Sequence, residues 1–174
     1  MTPWAERTRS TNWHPHHIAE RYGLFTIILL GESVLAASTG VQAGFAEGGL
    51  GGAFVTIALG GLVLLFALWW LYFLEPSGRG LADNRDRSYL WGYGHYGIFA
   101  SLAALGAGLE VAVEQTGHHL KVPDVGVAYA VAIPVGAFLL LPTAVGWVGL
   151  AAVVAAIAVT VAAVVALTIV APSD

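Results

Sequence analysis

The chain has 174 residues, of which 57% are hydrophobic and only 10% are charged, and its mean hydropathy is +0.76. This balance excludes an ordinary soluble domain, in which roughly a quarter of the residues are charged. The absence of cysteine excludes disulfides and thiolate metal sites, and a net charge of -4 with dispersed basic residues argues against nucleic-acid binding. The composition therefore predicts an integral membrane protein.

In chain order, the first feature is a polar N-terminal segment, residues 1–17. It has no apolar core of the kind that a cleavable signal peptide needs, so we expect the first spanning helix to carry the targeting information. A single transmembrane helical domain follows over 18–171, with a short tail at 172–174. The fold class is all-α, a polytopic bundle of about five spanning helices, predicted at 18–38, 52–74, 90–113, 125–142 and 147–170.

The connecting segments differ in basic charge. The N-terminal segment and the second connection hold five of the seven Lys and Arg residues, whereas the first connection holds none and the third holds only Lys121. Because basic segments stay in the cytoplasm, the N-terminus is predicted to be cytoplasmic, and five spans then place Asp174 outside. The predicted location is the bacterial plasma membrane, with the lipid bilayer as the main partner.

The most informative residue is Glu32, which lies inside the apolar run 22–39. An acid near the centre of a membrane helix costs about 2.5 to 3.5 kcal/mol on insertion scales, so it is expected to have a functional partner or access to water. Arg21 shares a helix stripe with Glu32, but it is about 16 Å away along the axis and cannot pair with it. Glu32 therefore needs another helix, a backbone group, a proton or water.

Because successive spans are predicted to cross the membrane in opposite directions, further polar groups lie at the cytoplasmic end of the bundle. Glu20, Arg21, Glu75 and His95 can form a titratable cluster there, although for the first three the preferred interpretation is interfacial side chains that reach the headgroups and form structural ion pairs. The candidate intramembrane polar site consists of Glu20, Arg21, Glu32, Ser33, Glu75 and His95. No catalytic residue, cofactor or metal is predicted.

Other motifs have plainer interpretations. Gly92 to Gly97 matches a dinucleotide-binding spacing but neither follows a strand nor opens a βαβ unit, so it indicates only the start of a helix. The stripe formed by Ala100, Ala104, Gly108 and Ala112 is typical of a helix contact face. Several aromatic residues, among them Trp69, Trp70, Tyr72 and Trp91, are predicted to form an aromatic belt at the membrane boundaries.

The stretch 17–36 (HIAERYGLFTIILLGESVLA) resembles the signature of the bacterial low temperature requirement protein A family, and 86–113 resembles its actinobacterial members. Together the two stretches cover about 50 residues. Members of that family are usually about twice as long, so the resemblance implies that this chain corresponds to the C-terminal half. It assigns no substrate, reaction or catalytic residue.

Three functional hypotheses follow. The first is transport or permeation of protons or a small solute, with Glu32 as its central group. The second is a non-catalytic assembly or scaffold half that binds a missing N-terminal half or a second copy. The third, an intramembrane enzyme, is disfavoured because no nucleophile, metal-ligand set or paired carboxylates occur at a usable depth. Transport is preferred.

Overall fold

The computed structural model describes residues 14–46, 52–74, 88–117 and 123–144. Almost all of these residues are helical, and no strand occurs within them, so the all-α prediction is confirmed for this part of the chain. The described helices are α1 (Pro15–Ala46), α2 (Gly52–Leu74), α3 (Ser88–Gly117) and α4 (Asp124–Ala144).

Each of the first four predicted spans coincides with one of these helices. In α2 the segment Ile57–Leu74, and in α3 the segment Tyr89–Gln115, are long and apolar enough to cross a membrane, whereas the apolar segment Val125–Leu141 of α4 is shorter. The helical, partly apolar structure fits a membrane protein. The fifth predicted span, 147–170, lies outside the described residues, so the count of five and the cytoplasmic N-terminus stay predictions.

Contacts between the helices show that successive helices alternate in direction. Along α1 and α3, Tyr22 lies beside Trp91 and, further along both helices, Ser33 lies against Gly106, so α1 and α3 run in the same direction. Near the end of α2, Tyr72 bonds to His95, which is close to the start of α3. The start of α1, the end of α2 and the start of α3 therefore lie at one end of the bundle.

The contacts of α4 complete the alternation. Leu141, near the end of α4, lies against Gly97, whereas the backbone of Ala130 lies against Gly108 further along α3. Because Gly108 has no side chain, the backbones of α3 and α4 approach closely at this point. α3 contacts each of the other three described helices and is the central element of the bundle.

The hydrophobic core is one cluster to which all four described helices contribute. Its most buried large side chains are Leu68, Leu102, Leu105 and Phe138, each 1% exposed. α3 faces this core with residues spaced three or four apart, as a helical period requires.

The small-residue stripe predicted on α3 is only partly a contact face within the described helices. Gly108 and Ala112 are buried, whereas Ala100 and Ala104 are exposed. A strict spacing of four advances by about 40° per step on an α-helix, so the stripe turns away from α4 over its length.

Candidate functional site

A buried histidine joins α2 to α3 near one end of the bundle. His95 is 1% exposed. Its Nε2 lies 3.0 Å from the Tyr72 hydroxyl and its Nδ1 lies 2.7 Å from the carbonyl oxygen of Trp91. A carbonyl oxygen can only accept, so Nδ1 carries a hydrogen, and in a neutral ring Nε2 then accepts the hydrogen of the Tyr72 hydroxyl. Both ring nitrogens are thus satisfied inside a largely apolar core.

Aromatic rings surround His95. The ring centroids of Trp91, Tyr22 and Phe99 lie 4.1, 4.8 and 5.6 Å from that of the imidazole. Tyr22 belongs to α1 and Tyr72 to α2, whereas His95 belongs to α3, so this aromatic layer connects three helices. Rings at these separations fill the space between the helices, so the core is closely packed at this end of the bundle.

Tyr72 and Trp91 were predicted to lie in the aromatic belt at the membrane boundaries, and the structure corrects that prediction. Tyr72 and Trp91 are 7% and 6% exposed and contact the buried histidine, whereas Trp69 and Trp70 are 37% and 55% exposed on the outer surface of α2. Trp91 lies one helical turn before His95 and shares its inward face, which is the signal that could have identified it.

The side of α1 that faces α3 carries two buried hydroxyl groups. Thr26 donates to the carbonyl oxygen of Tyr22 at 3.0 Å, and Ser33 donates to that of Leu29 at 3.1 Å. Bonds of this kind satisfy a hydroxyl within its own helix. Ser33 also lies against Gly106, where an added methyl group would be only 2.9 Å from its Oγ. Ser33 therefore belongs to the close contact between α1 and α3.

Glu32 lies on the opposite side of α1 and is exposed. Within residues 14–46, 52–74, 88–117 and 123–144 it makes no hydrogen bond or ion pair. Its nearest large neighbours along the helix are apolar: Ile28 and Leu35 are 62% and 59% exposed. The partner that the sequence requires for Glu32 is therefore not among the described residues.

The polar residues at the start of α1 lie on its surface. Glu20 and Arg21 are exposed, and Glu20 pairs with His17 at 3.5 Å. An open depression of about 520 Å³ lies here, lined by His14, His17, Ile18, Glu20, Arg21 and Leu24. Because every lining residue belongs to the same stretch of chain, the depression is a surface feature rather than a cavity between helices.

The structure thus separates the members of the predicted polar site. Ser33 and His95 lie in the interior, Glu20, Arg21 and Glu32 lie on the surface of α1, and Glu75 lies outside the described residues. The residues that sequence reasoning missed are the direct partners of the histidine, Tyr72 and the backbone of Trp91, together with Tyr22.

Histidines at the start of α1 lie close together without forming a metal site. The ring centroid of His14 is 5.7 Å from that of His16 and 5.0 Å from that of His17. In the part of the chain that the structure describes, no group of three or more His, Asp or Glu side chains is arranged to hold a metal ion.

Comparison with protein families gives one match, which spans almost the whole chain. A family model described as bacterial low temperature requirement A protein (LtrA) matches residues 1–173. No curated protein and no solved structure matches the chain. The match includes the Glu-Arg-Tyr-Gly and Gly-Glu-Ser steps of α1, which belong to the stretch that resembles the family signature. The chain therefore belongs to the bacterial low temperature requirement A protein family.

Proposed function

We propose that the protein is a multi-pass protein of the bacterial plasma membrane that provides a path for protons or a small solute, with Glu32 as the central polar group. The observation that carries the proposal is the position of Glu32. It lies in the middle of α1, about 16 Å along the axis from Arg21 and about 15 Å from Gln42. Membership of the LtrA family and the long apolar segments of α2 and α3 support the membrane location.

The surroundings of Glu32 make its carboxyl group costly to hold within a membrane. A carboxyl group that faces hydrocarbon at mid-membrane costs about 2.5 to 3.5 kcal/mol, and such groups usually mark ion or proton pathways. Glu32 points away from the core of the described helices, among exposed apolar side chains. A path that uses Glu32 therefore runs along the outer side of α1 and is completed by a further protein surface.

The aromatic layer around His95 also favours a path on the outer side of α1. At that level the rings of Tyr22, Trp91 and Phe99 pack around the imidazole. A path through the middle of the four described helices would have to displace these rings, whereas a path on the outer side of α1 leaves them in place. His95 then has a structural role, holding α2 against α3.

The orientation of the protein in the membrane follows from the distribution of its Arg residues. The N-terminal segment and the connection between α2 and α3 begin or end at the same end of the bundle, and both are rich in Arg. By the positive-inside rule, we place this end in the cytoplasm.

The transport proposal is tested in proteoliposomes that hold the full chain together with any further LtrA segment it requires. Glu32→Gln should reduce pH-dependent flux of protons and small solutes to the level of protein-free vesicles, because it removes the titratable group without changing the side-chain shape. Glu110→Gln is the matched control, since Glu110 is exposed near the other end of α3. Unchanged flux in a folded Glu32→Gln protein would refute the proposal.

A second candidate function is assembly, in which α1 binds another membrane helix and no solute moves. The exposed apolar side chains beside Glu32, Ile28 at 62% and Leu35 at 59% exposed, are the observation that favours it. In this case Glu32→Gln should lower the yield of assembled complex in mild detergent, whereas the flux through wild-type proteoliposomes should equal that of empty vesicles. Normal assembly of Glu32→Gln would count against this candidate.

A further inference from the structure

Three buried side chains form a hydrogen-bonding network that links α1, α2 and α3. The Tyr72 hydroxyl of α2 lies 3.0 Å from Nε2 of His95 on α3. The same hydroxyl has the side chain of Thr26, on α1, as a hydrogen-bonding neighbour. Thr26, Tyr72 and His95 are 0%, 7% and 1% exposed, and together they are called the polar network below.

The Tyr72 hydroxyl carries one hydrogen and has two acceptors for it. In the neutral state of His95, Nδ1–H donates to the Trp91 carbonyl oxygen and Nε2 accepts from Tyr72. Thr26 donates its own hydrogen to the carbonyl oxygen of Tyr22 at 3.0 Å, so its Oγ1 can accept another. Rotation about the C–O bond of Tyr72 can therefore turn its hydrogen from His95 to Thr26.

This second acceptor matters when the imidazole takes up another proton. A proton added at Nε2 turns that nitrogen from an acceptor into a donor. Nε2–H then donates to the Tyr72 oxygen, and the Tyr72 hydroxyl donates to Oγ1 of Thr26. Every polar atom of the network keeps a partner, and a bond between α2 and α3 is present in both states. Protonation at His95 is thus compatible with its role in holding α2 against α3.

The aromatic rings around His95 also suit a cation. The centroids of Trp91, Tyr22 and Phe99 lie 4.1, 4.8 and 5.6 Å from the imidazole centroid. A cation within about 6 Å of a ring centroid is attracted by the negative face of the ring, and the attraction is stronger where water is excluded. A positive charge on the imidazole also strengthens the bond from Nδ1–H to the Trp91 carbonyl oxygen.

The polar side chains that neighbouring helices place around His95 and Tyr72 are uncharged. They are Tyr22 and Thr26 of α1 and, beside His95, Tyr72 of α2. Glu20 and Arg21, at the same end of α1, are exposed. Residues 131–144 of α4, which approach this end of the bundle, include no titratable side chain. The polar network and the rings, rather than a carboxylate, are therefore what favours a proton on His95.

We propose that His95 is an interior proton-binding site, in which Tyr72 and Thr26 accommodate the added proton by reversing the direction of one hydrogen bond. The proton comes from water at the nearer end of the bundle, because His95 lies only about 10 Å along the axis from Ser88, where α3 begins. One N–H bond forms at Nε2, and no other covalent bond changes. The inference goes beyond the transport proposal and does not use Glu32, so either can fail without the other.

Nitrogen-15 NMR of the full chain in detergent micelles, with labelled histidine, tests the site. The His95 signals are identified by their loss in His95→Leu. As the pH falls, Nε2 of His95 should gain a hydrogen while circular dichroism shows that the helices are retained. A ring that stays neutral until the helices unfold would overturn the proposal.

Removing the second acceptor tests the polar network itself. Thr26→Val keeps the shape of the side chain but leaves the Tyr72 hydrogen without its alternative acceptor, so the His95 titration should move to lower pH by about one unit. Ser33→Ala is the matched control, because Ser33 is a buried hydroxyl of α1 that bonds to Leu29 of its own helix. Equal titration midpoints in Thr26→Val and wild type would contradict the network.

Replacing one ring tests the contribution of the aromatic layer. Phe99→Leu keeps an apolar side chain but removes the ring face, and it should lower the midpoint of the His95 titration by about half a pH unit. Phe66→Leu makes the same change at a residue that is 61% exposed on α2, and it should leave the midpoint unchanged. Unchanged midpoints in both Phe99→Leu and Thr26→Val would show that neither the ring nor the network stabilises the proton.

Discussion

Removing the Tyr72 hydroxyl should destabilise the bundle, because it deprives a buried nitrogen of its hydrogen-bond donor. Nδ1 of His95 is held by the Trp91 carbonyl oxygen at 2.7 Å, so the ring keeps its hydrogen there, and Nε2 remains an acceptor. His95 is 1% exposed and Tyr72 is 7% exposed, so water does not readily replace the hydroxyl. A buried polar atom that loses its partner costs about 1 to 3 kcal/mol, whereas interhelical side-chain bonds in membranes average about 0.6 kcal/mol and reach about 1.7. We expect Tyr72→Phe to lower the free energy of unfolding by about 0.5 to 2 kcal/mol.

The assay is reversible unfolding in mixed detergent micelles, followed by circular dichroism. Tyr93→Phe is the matched control, because Tyr93 is 55% exposed and the same chemical change there should have little effect. Tyr72→Phe should also cost less when His95 is already replaced by Leu, since the bond is then absent. The reasoning would be refuted if Tyr72→Phe cost no more than Tyr93→Phe, or if it cost the same with and without His95.

Two further predictions concern the close contact between α3 and α4 and the hydrogen on the His95 ring. Gly108→Ala should destabilise the protein by about 1 to 3 kcal/mol, because the new methyl group would meet the carbonyl of Ala130, and a backbone cannot move aside without shifting α4. Gly136→Ala should be neutral or slightly stabilising in the same unfolding assay, since no described residue lies within 4 Å of a methyl group added there, and equal effects at the two glycines would contradict the packing. For His95, nitrogen-15 NMR should show the hydrogen of the neutral ring on Nδ1, bonded to Trp91, and a hydrogen on Nε2 instead would show that this bond is wrong.

Helix positions could be predicted well because polar or glycine-rich segments interrupt the apolar runs of the sequence. The second predicted span, 52–74, has the same limits as α2. The first was predicted at 18–38, but α1 extends from Pro15 to Ala46. Hydropathy detects only the part of a helix that lies in hydrocarbon, and a helix can continue through the polar boundary, where its backbone bonds are still made within the helix.

The faces of the helices could not be predicted in the same way. Lipid is as apolar as the protein interior, so the hydrophobic pattern does not distinguish the two sides of a membrane helix. This is why the sequence did not show on which side of α1 Glu32 lies, and why Tyr72 was assigned to the boundary rather than to His95. The rotation of each helix depends on its contacts with the others, and these contacts follow from close packing at positions such as Gly106 and Gly108.

The adjacent residues Glu32 and Ser33 show how the rotation of α1 separates neighbours in the sequence. They were predicted to belong to one polar site, yet Ser33 is 2% exposed against Gly106 whereas Glu32 is exposed on the surface. Successive residues on a helix differ by about 100°, so one can lie in the interior while the next leaves it. The Gly-Glu-Ser step therefore combines a contact residue for α3 with an acid on the exposed side of α1.

The central claim is that α1 crosses the membrane with Glu32 about half-way along it, and cysteine labelling of α1 tests this most directly. Arg21→Cys and Gln42→Cys variants of the full chain are treated with a membrane-impermeant maleimide, in right-side-out and in inverted vesicles. We predict that the cysteine at position 21 reacts only in inverted vesicles and that at position 42 only in right-side-out vesicles. Reaction of both positions from the same side would contradict the claim, because Glu32 would then not lie within the membrane.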